Sequence, residues 1–143
     1  MLSNNLILLV EDNPDDEALT LRALNKGDYK SDIMVLRDGQ QAVDYLNAAD
    51  ESRLPALIML DLKLPKLSGI DVLKFIRSNN KTKHLPVVVL TSSSEESDIR
   101  ECYEYHVNSY VRKPVNMDEF TESVRNLGLY WLMINEAFPK RGF

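Results

Sequence analysis

Residues able to do chemistry follow the apolar runs of this chain at regular places. Glu11 and Asp12 come directly after Leu6–Val10, and Asp61 comes directly after residues 56–60. Thr91 and Ser92 follow residues 87–90, and Lys113-Pro114 closes a weaker apolar segment at 107–111. If these runs are parallel neighbours, three carboxylates, a hydroxyl and an ammonium converge on one edge. Crowded carboxylates repel: two of them ~5 Å apart at an effective dielectric of ~20 cost roughly 3 kcal/mol. That exceeds what a surface salt bridge returns, so such a cluster takes up protons or holds a cation. An all-oxygen donor set, with no His or Cys close in sequence, favours Mg²⁺, which retains waters and accepts phosphoryl oxygens.

Several of these and the neighbouring polar residues also have a purely structural explanation. Asn13 can cap a helix with Pro14 at its first position, and Asp15, Asp16 and Glu17 then favour the positive end of the helix dipole. That leaves Glu11 and Asp12 unexplained. Asp61 alone could merely start the loop before Pro65 and Gly69, and Lys113 alone could be a solvated lysine. Ser93 with Glu96 reads as a capping box opening a helix. Thr91 has no comparable structural role. It is the joint placement that points to a site.

The elements that must position these groups are legible in the hydrophobic pattern. Residues 6–10, 56–60 and 87–90 are almost purely apolar and too short for helices, as expected of strands buried on both faces. Residues 33–36 and 107–111 are more mixed and suit sheet edges. Amphipathic stretches at 14–26, 40–48, 70–79 and 95–106 alternate with them, predicting a doubly wound α/β domain with helices on both faces. Cys102 shares a helical face with Ile99 and is expected as core filler. From Met117 onward Phe120, Val124, Leu127, Trp131 and Ile134 form one stripe of an extended C-terminal helix. Leu129, Tyr130, Leu132 and Met133 beside it exceed what docking requires, so the surplus is either a tail folded on its own domain or a self-association surface. Gly128 is expected to break or kink this helix.

The 143 residues fit one domain, taken as 1–143. Hydrophobic residues at 44% and charged residues at 27% suit a soluble globular chain. No apolar run approaches the ~18 residues of a membrane span, and Met1 to Asn5 lack a signal-peptide pattern. A net charge of −5 argues against direct nucleic-acid binding. A lone cysteine suits a reducing compartment, so a cytoplasmic location is expected.

At Glu11-Asp12, Asp61 with Pro65 and Gly69, Thr91-Ser92, and Tyr110 three before Lys113-Pro114, the chain resembles the receiver domain of two-component response regulators. The resemblance spans nearly the whole chain and implies a flavodoxin-like sheet of order 2-1-3-4-5. It implies that Asp61 is the phosphoacceptor for a sensor histidine kinase. It further implies that Glu11, Asp12, Asp61 and the backbone carbonyl of Lys63 hold Mg²⁺, and that Lys113 and Thr91 bind phosphoryl oxygens. A cis bond before Pro114 is expected to aim Lys113. Thr91 and Tyr110 would form the switch, the aromatic ring rotating into space that Thr91 vacates.

A narrower resemblance, to small receivers partnering phytochrome-type kinases, rests on Asp38-Gly39 before Tyr45-Leu46-Asn47, Leu64-Pro65, Thr91-Ser92-Ser93 and Tyr130-Trp131-Leu132. Those relatives often dimerise through the face of helix 4, strand 5 and helix 5. Lys63 departs from their usual Asn and hangs a charge near the site, which leaves the phosphoryl lifetime open. Output is expected through a downstream protein or onward phosphotransfer rather than through enzymatic turnover. Two alternatives stand beside this reading. One is a receiver-shaped scaffold with an idle site. The other is an α/β enzyme, for which the five glycines form no phosphate cradle and Lys63 stands where a phosphatase wants an acid.

Overall fold

The computed structural model describes residues 5–139; residues 1–4 and 140–143, on which part of the reading of both termini rests, lie outside the described residues. Five strands alternate with five helices: β1 (Leu6–Val10), α1 (Pro14–Asn25), β2 (Asp32–Leu36), α2 (Gly39–Ala48), β3 (Leu57–Leu60), α3 (Gly69–Ser78), β4 (Val87–Thr91), α4 (Glu96–Glu104), β5 (Ser109–Arg112) and α5 (Met117–Leu129). The strands are all parallel, in the order β2-β1-β3-β4-β5. This is the flavodoxin-like arrangement expected from the resemblance.

Side chains alternate across the sheet with period two, and both faces are covered. Leu8, Val10, Ile58, Leu60, Val87 and Val89 pack against Ala42, Leu46, Val72, Leu73, Ile76 and Cys102 from α2, α3 and α4. Ile7, Leu9, Leu57, Met59, Val88 and Leu90 pack against Ala23, Leu24, Phe120 and Val124 from α1 and α5. Burial on two sides is why these strands carry no polar alternation. Cys102 is buried, and burial pushes its thiol up to about 11, so it is core rather than nucleophile.

Helix ends follow local chemistry. The Asn13 side chain accepts from Asp15 N–H and Asp16 N–H at 2.9 and 3.0 Å, with Pro14 at the first helical position. At the end of α4, His106 takes a left-handed φ of 60°. Its N–H donates to Tyr103 O at 3.0 Å, and Val107 N–H donates to Cys102 O at 3.1 Å. This is a Schellman closure without glycine. It captures Val107, so β5 starts at Ser109 rather than at 107.

Two local expectations are corrected. Ser93 does not form a capping box with Glu96: its hydroxyl donates to Asp98 Oδ2 at 2.6 Å and accepts from Glu95 N–H at 3.2 Å. Gly128 does not interrupt α5, which continues through it. A Cβ there would come within 2.2 Å of the Tyr29 hydroxyl, so the glycine lets Tyr29 of the α1–β2 connection lie against α5 and donate to Arg125 O at 3.0 Å.

The helix changes instead after Leu129, widening to π geometry over Tyr130–Ile134, where Asn135 N–H donates to Tyr130 O at 2.7 Å. The wider turn rotates the stripe out of register. Trp131 and Leu132 still pack on the α1–α5 side of the core, whereas Ile134 is exposed with Leu129, Tyr130 and Met133.

Candidate functional site

Parallel register brings the strand ends together. Val10 pairs with Leu60, so Glu11 and Asp61 emerge side by side, tied by Asp61 N–H donating to Val10 O at 3.1 Å. Thr91 pairs with Arg112, and Lys113 N–H donates to Thr91 O at 2.7 Å. That ladder bond carries Lys113 to the site. The expected cis bond before Pro114 is absent: among the described residues every peptide bond is trans.

Glu11 (2% exposed) and Asp61 (8% exposed) are buried, and Asp12 is exposed. Each offers an oxygen to a group lying within 4.8 Å of one another. Three carboxylates this close would hold a small divalent cation after modest side-chain movement, and Glu11, Asp12 and Asp61 would be its protein ligands. The hard all-oxygen donor set fits the same choice.

The ammonium of Lys113 is spent three ways: Nζ donates to Glu11 Oε1 at 2.8 Å, Asp16 Oδ2 at 2.8 Å and Asp61 Oδ2 at 3.0 Å. The second oxygens of the two buried carboxylates accept from backbone, Glu11 Oε2 from Asn13 N–H and Asp61 Oδ1 from Lys63 N–H, both at 3.2 Å. Burial pushes the Glu11 carboxyl up to about 7; the Lys113 hydrogen bond opposes this and the Asp61 charge adds to it. Burial alone would lower the Lys113 ammonium. Hydrogen bonds to Asp16 and Glu11, with the charges of Asp61 and Glu11, outweigh it and hold the lysine above its ordinary range.

Thr91 is fully buried at the end of β4. Its Oγ1 accepts from Ser93 N–H at 3.3 Å, which leaves the hydroxyl hydrogen for a second partner. Tyr110, half-buried, donates its hydroxyl to Ser93 O at 2.9 Å. Ser93 therefore joins Thr91 to Tyr110, and through Asp98 it also holds α4. Lys63 contributes its backbone N–H to Asp61, while its side chain is exposed.

Gly69 and Gly39 clamp the loop after Asp61. A Cβ on Gly69 would meet Asp61 O at 2.1 Å and Leu62 Cα at 2.6 Å; one on Gly39 would meet Leu67 O at 2.0 Å. Neither backbone obstacle can swing aside. Gly69→Ala is expected to destabilise the fold by about 2–4 kcal/mol in urea denaturation. A loss below about 0.5 kcal/mol would show that the loop yields freely.

Glu11, Asp12, Asp61 and Lys113 thus meet as the sequence pattern predicts, and Thr91 ends the adjoining strand. Two contributors were not legible beforehand. Asp16 looks like any helix-dipole acid, yet it grips Lys113. Ser93 looks like a cap, yet it links Thr91 to Tyr110.

The family model of the response regulator receiver domain matches residues 7–125. The chain belongs to this family. The receiver is 40% identical over 134 residues to the probable methanogenesis regulatory protein FilR2 of Methanothrix harundinacea, covering 92% of this chain and 86% of the relative. It is also 40% identical over 130 residues to the response regulator Rcp1 of a Synechocystis species, covering 89% and 88%. The crystal structure of Mn²⁺-bound Rcp1 superposes with a TM-score of 0.88 at 38% identity, covering 94% of this chain and 99% of that one. The crystal structure of the phosphorylated cyanobacterial phytochrome response regulator RcpA does so with a TM-score of 0.88 at 37% identity, again covering 94% and 99%. Receivers of this family are signalling phosphoacceptors rather than turnover enzymes. No helix among the described residues is long and apolar enough to cross a membrane.

Proposed function

We propose that this chain, one receiver domain over 1–143, accepts a phosphoryl group on Asp61 from a sensor histidine kinase with Mg²⁺ assistance. The observation that carries the reading is the surround of Asp61: a buried carboxylate beside two further acidic oxygens and within 3.0 Å of the Lys113 ammonium. An Asp61 oxygen attacks phosphorus and forms an O–P bond; the P–N bond to the kinase histidine breaks, and its electron pair stays on the imidazole nitrogen. Glu11, Asp12, Asp61 and the Lys63 carbonyl would hold the ion, which neutralises charge on the group in transit. Lys113 and Thr91 then take phosphoryl oxygens.

Movement of Thr91 toward phosphate pulls on Ser93 and hence on Tyr110, so α4, β5 and α5 carry the change outward. The output is a binding partner, either a downstream protein or a phosphotransfer protein, and no nucleic acid or membrane is engaged. The proposal includes a homodimer through the α4–β5–α5 face, and the exposed Leu129, Tyr130, Met133 and Ile134 at and beyond the end of α5 add apolar surface for self-association. We place the protein in the cytoplasm, in keeping with its free buried Cys102.

A phytochrome-type kinase as donor rests on the likeness to the phytochrome response regulator RcpA. FilR2, equally identical and named for methanogenesis, makes phosphotransfer profiling against the host's kinases the deciding experiment. For the chemistry itself, acetyl phosphate with Mg²⁺ is expected to add one phosphoryl mass, and EDTA to prevent it. An unchanged intact mass would leave a scaffold with an idle site.

A further inference from the structure

We propose that Asp16 is a positioning residue that keeps Lys113 in the site while a divalent cation occupies the Glu11, Asp12 and Asp61 carboxylates. The inference rests on the metal reading given above. An ammonium has three protons, and Lys113 spends all of them, on Glu11, Asp16 and Asp61. Two of those acceptors, Glu11 and Asp61, also belong to the acidic group suited to a cation; Asp16 does not. With a dication seated, the shared oxygens turn toward it and its charge repels the neighbouring ammonium. Asp16 is then the anionic acceptor left to Lys113, whose side chain is only 10% exposed and has little water to turn to.

Asp16 is built to stay in place. Its backbone is pinned on both sides: its N–H donates to the Asn13 cap at 3.0 Å and its carbonyl accepts from the Thr20 hydroxyl at 2.8 Å. The helix-dipole explanation covers the whole first turn of α1, but Glu17 in that turn is engaged by Arg37. Asp16 is the acid of the turn that reaches across to β5. Lys113 thereby remains available at hydrogen-bond range of the carboxylate that receives phosphate.

The test is a double-mutant cycle read by Mg²⁺ affinity, with calorimetric titration of the full chain. Asp16→Ala is expected to weaken Mg²⁺ binding about tenfold, because Lys113, deprived of its alternative partner, competes for Glu11 and Asp61. In the Lys113→Met background the same change is expected to weaken it by about twofold or less, since only through-space charge remains. Asp16→Glu restores most of the affinity, and Asp16→Asn falls between. In ammonium-selective NMR of the Mg²⁺ form, the Lys113 signal stays sharp in the wild type and is lost in Asp16→Ala. Equal weakening in both backgrounds would overturn the proposal and leave Asp16 as a helix-dipole acid. Absence of Mg²⁺ binding by the wild type would instead overturn the metal reading itself.

Discussion

Asp61→Asn is expected to abolish phosphoryl uptake completely, with intact-mass spectra showing no gain from acetyl phosphate and Mg²⁺. The amide nitrogen and carbonyl oxygen of asparagine are too weakly nucleophilic to replace a carboxylate. The substitution does not simply preserve the site otherwise. If the amide oxygen keeps the Lys63 N–H bond made by Oδ1, its NH₂ faces the Lys113 ammonium, donor against donor. Loss of that contact is offset by relief of Glu11, whose carboxyl the Asp61 charge helps hold high. Net stability is therefore expected to change by no more than about 1 kcal/mol, while thermal stabilisation by Mg²⁺ shrinks because one ligand charge is gone. A persisting mass gain would place the phosphoryl group on another residue.

Lys113→Met is expected to be strongly destabilising. It leaves the apolar stem but strips the shared cation from Glu11, Asp16 and Asp61. Removing one partner of a buried ion cluster commonly costs about 3–5 kcal/mol. Asp16 is partly solvated, so we expect roughly 2–4 kcal/mol near pH 8 without divalent cation. The loss depends on pH, and its sign follows from Glu11. Its folded pKa of about 7 lies above the ordinary 4.5, so the folded state binds the proton more tightly. The stability this contributes is fully present below the unfolded value and is lost as pH rises through about 7. Without Lys113, which pulls the Glu11 value down, that window moves higher. Urea melts at about pH 5.5 and about pH 8 are expected to show the larger deficit at the higher pH, with Mg²⁺ recovering part of it. Equal deficits would mean that Glu11 is not the group being relieved.

How far the chain could be read in advance depended on the range of the interaction. Strands buried on two faces announce themselves within five residues: Leu6–Val10 was legible to both ends, and Val87–Thr91 exceeded its apolar run by the one threonine that matters. The α1 cap was equally local, an Asn-Pro pair acting within one turn. Features that failed were those in which a distant group competes with a local rule. Ser93 prefers Asp98 to Glu96, Gly128 answers to Tyr29, and His106 closes α4 where glycine would be expected. Ile134 leaves the apolar stripe because the helix widens before it, and nothing in a 3.6-residue period signals that.

The sequence by itself determined which segments are strands, that they are covered on both sides, and that Glu11, Asp12, Asp61, Thr91 and Lys113 each stand at or just past a strand end. Short unbroken apolar runs and chain direction suffice for that, since parallel strands send all their carboxyl ends to one edge. Only the tertiary structure decided how the ammonium is shared, because Asp16 and Lys113 lie 97 residues apart and meet only where the fold brings the start of α1 beside the end of β5. The same holds for the path from Thr91 through Ser93 to Tyr110. Hydrogen bonds of this kind are set by positions fixed to within a few tenths of an ångström, and residue types along a chain do not carry that distance information.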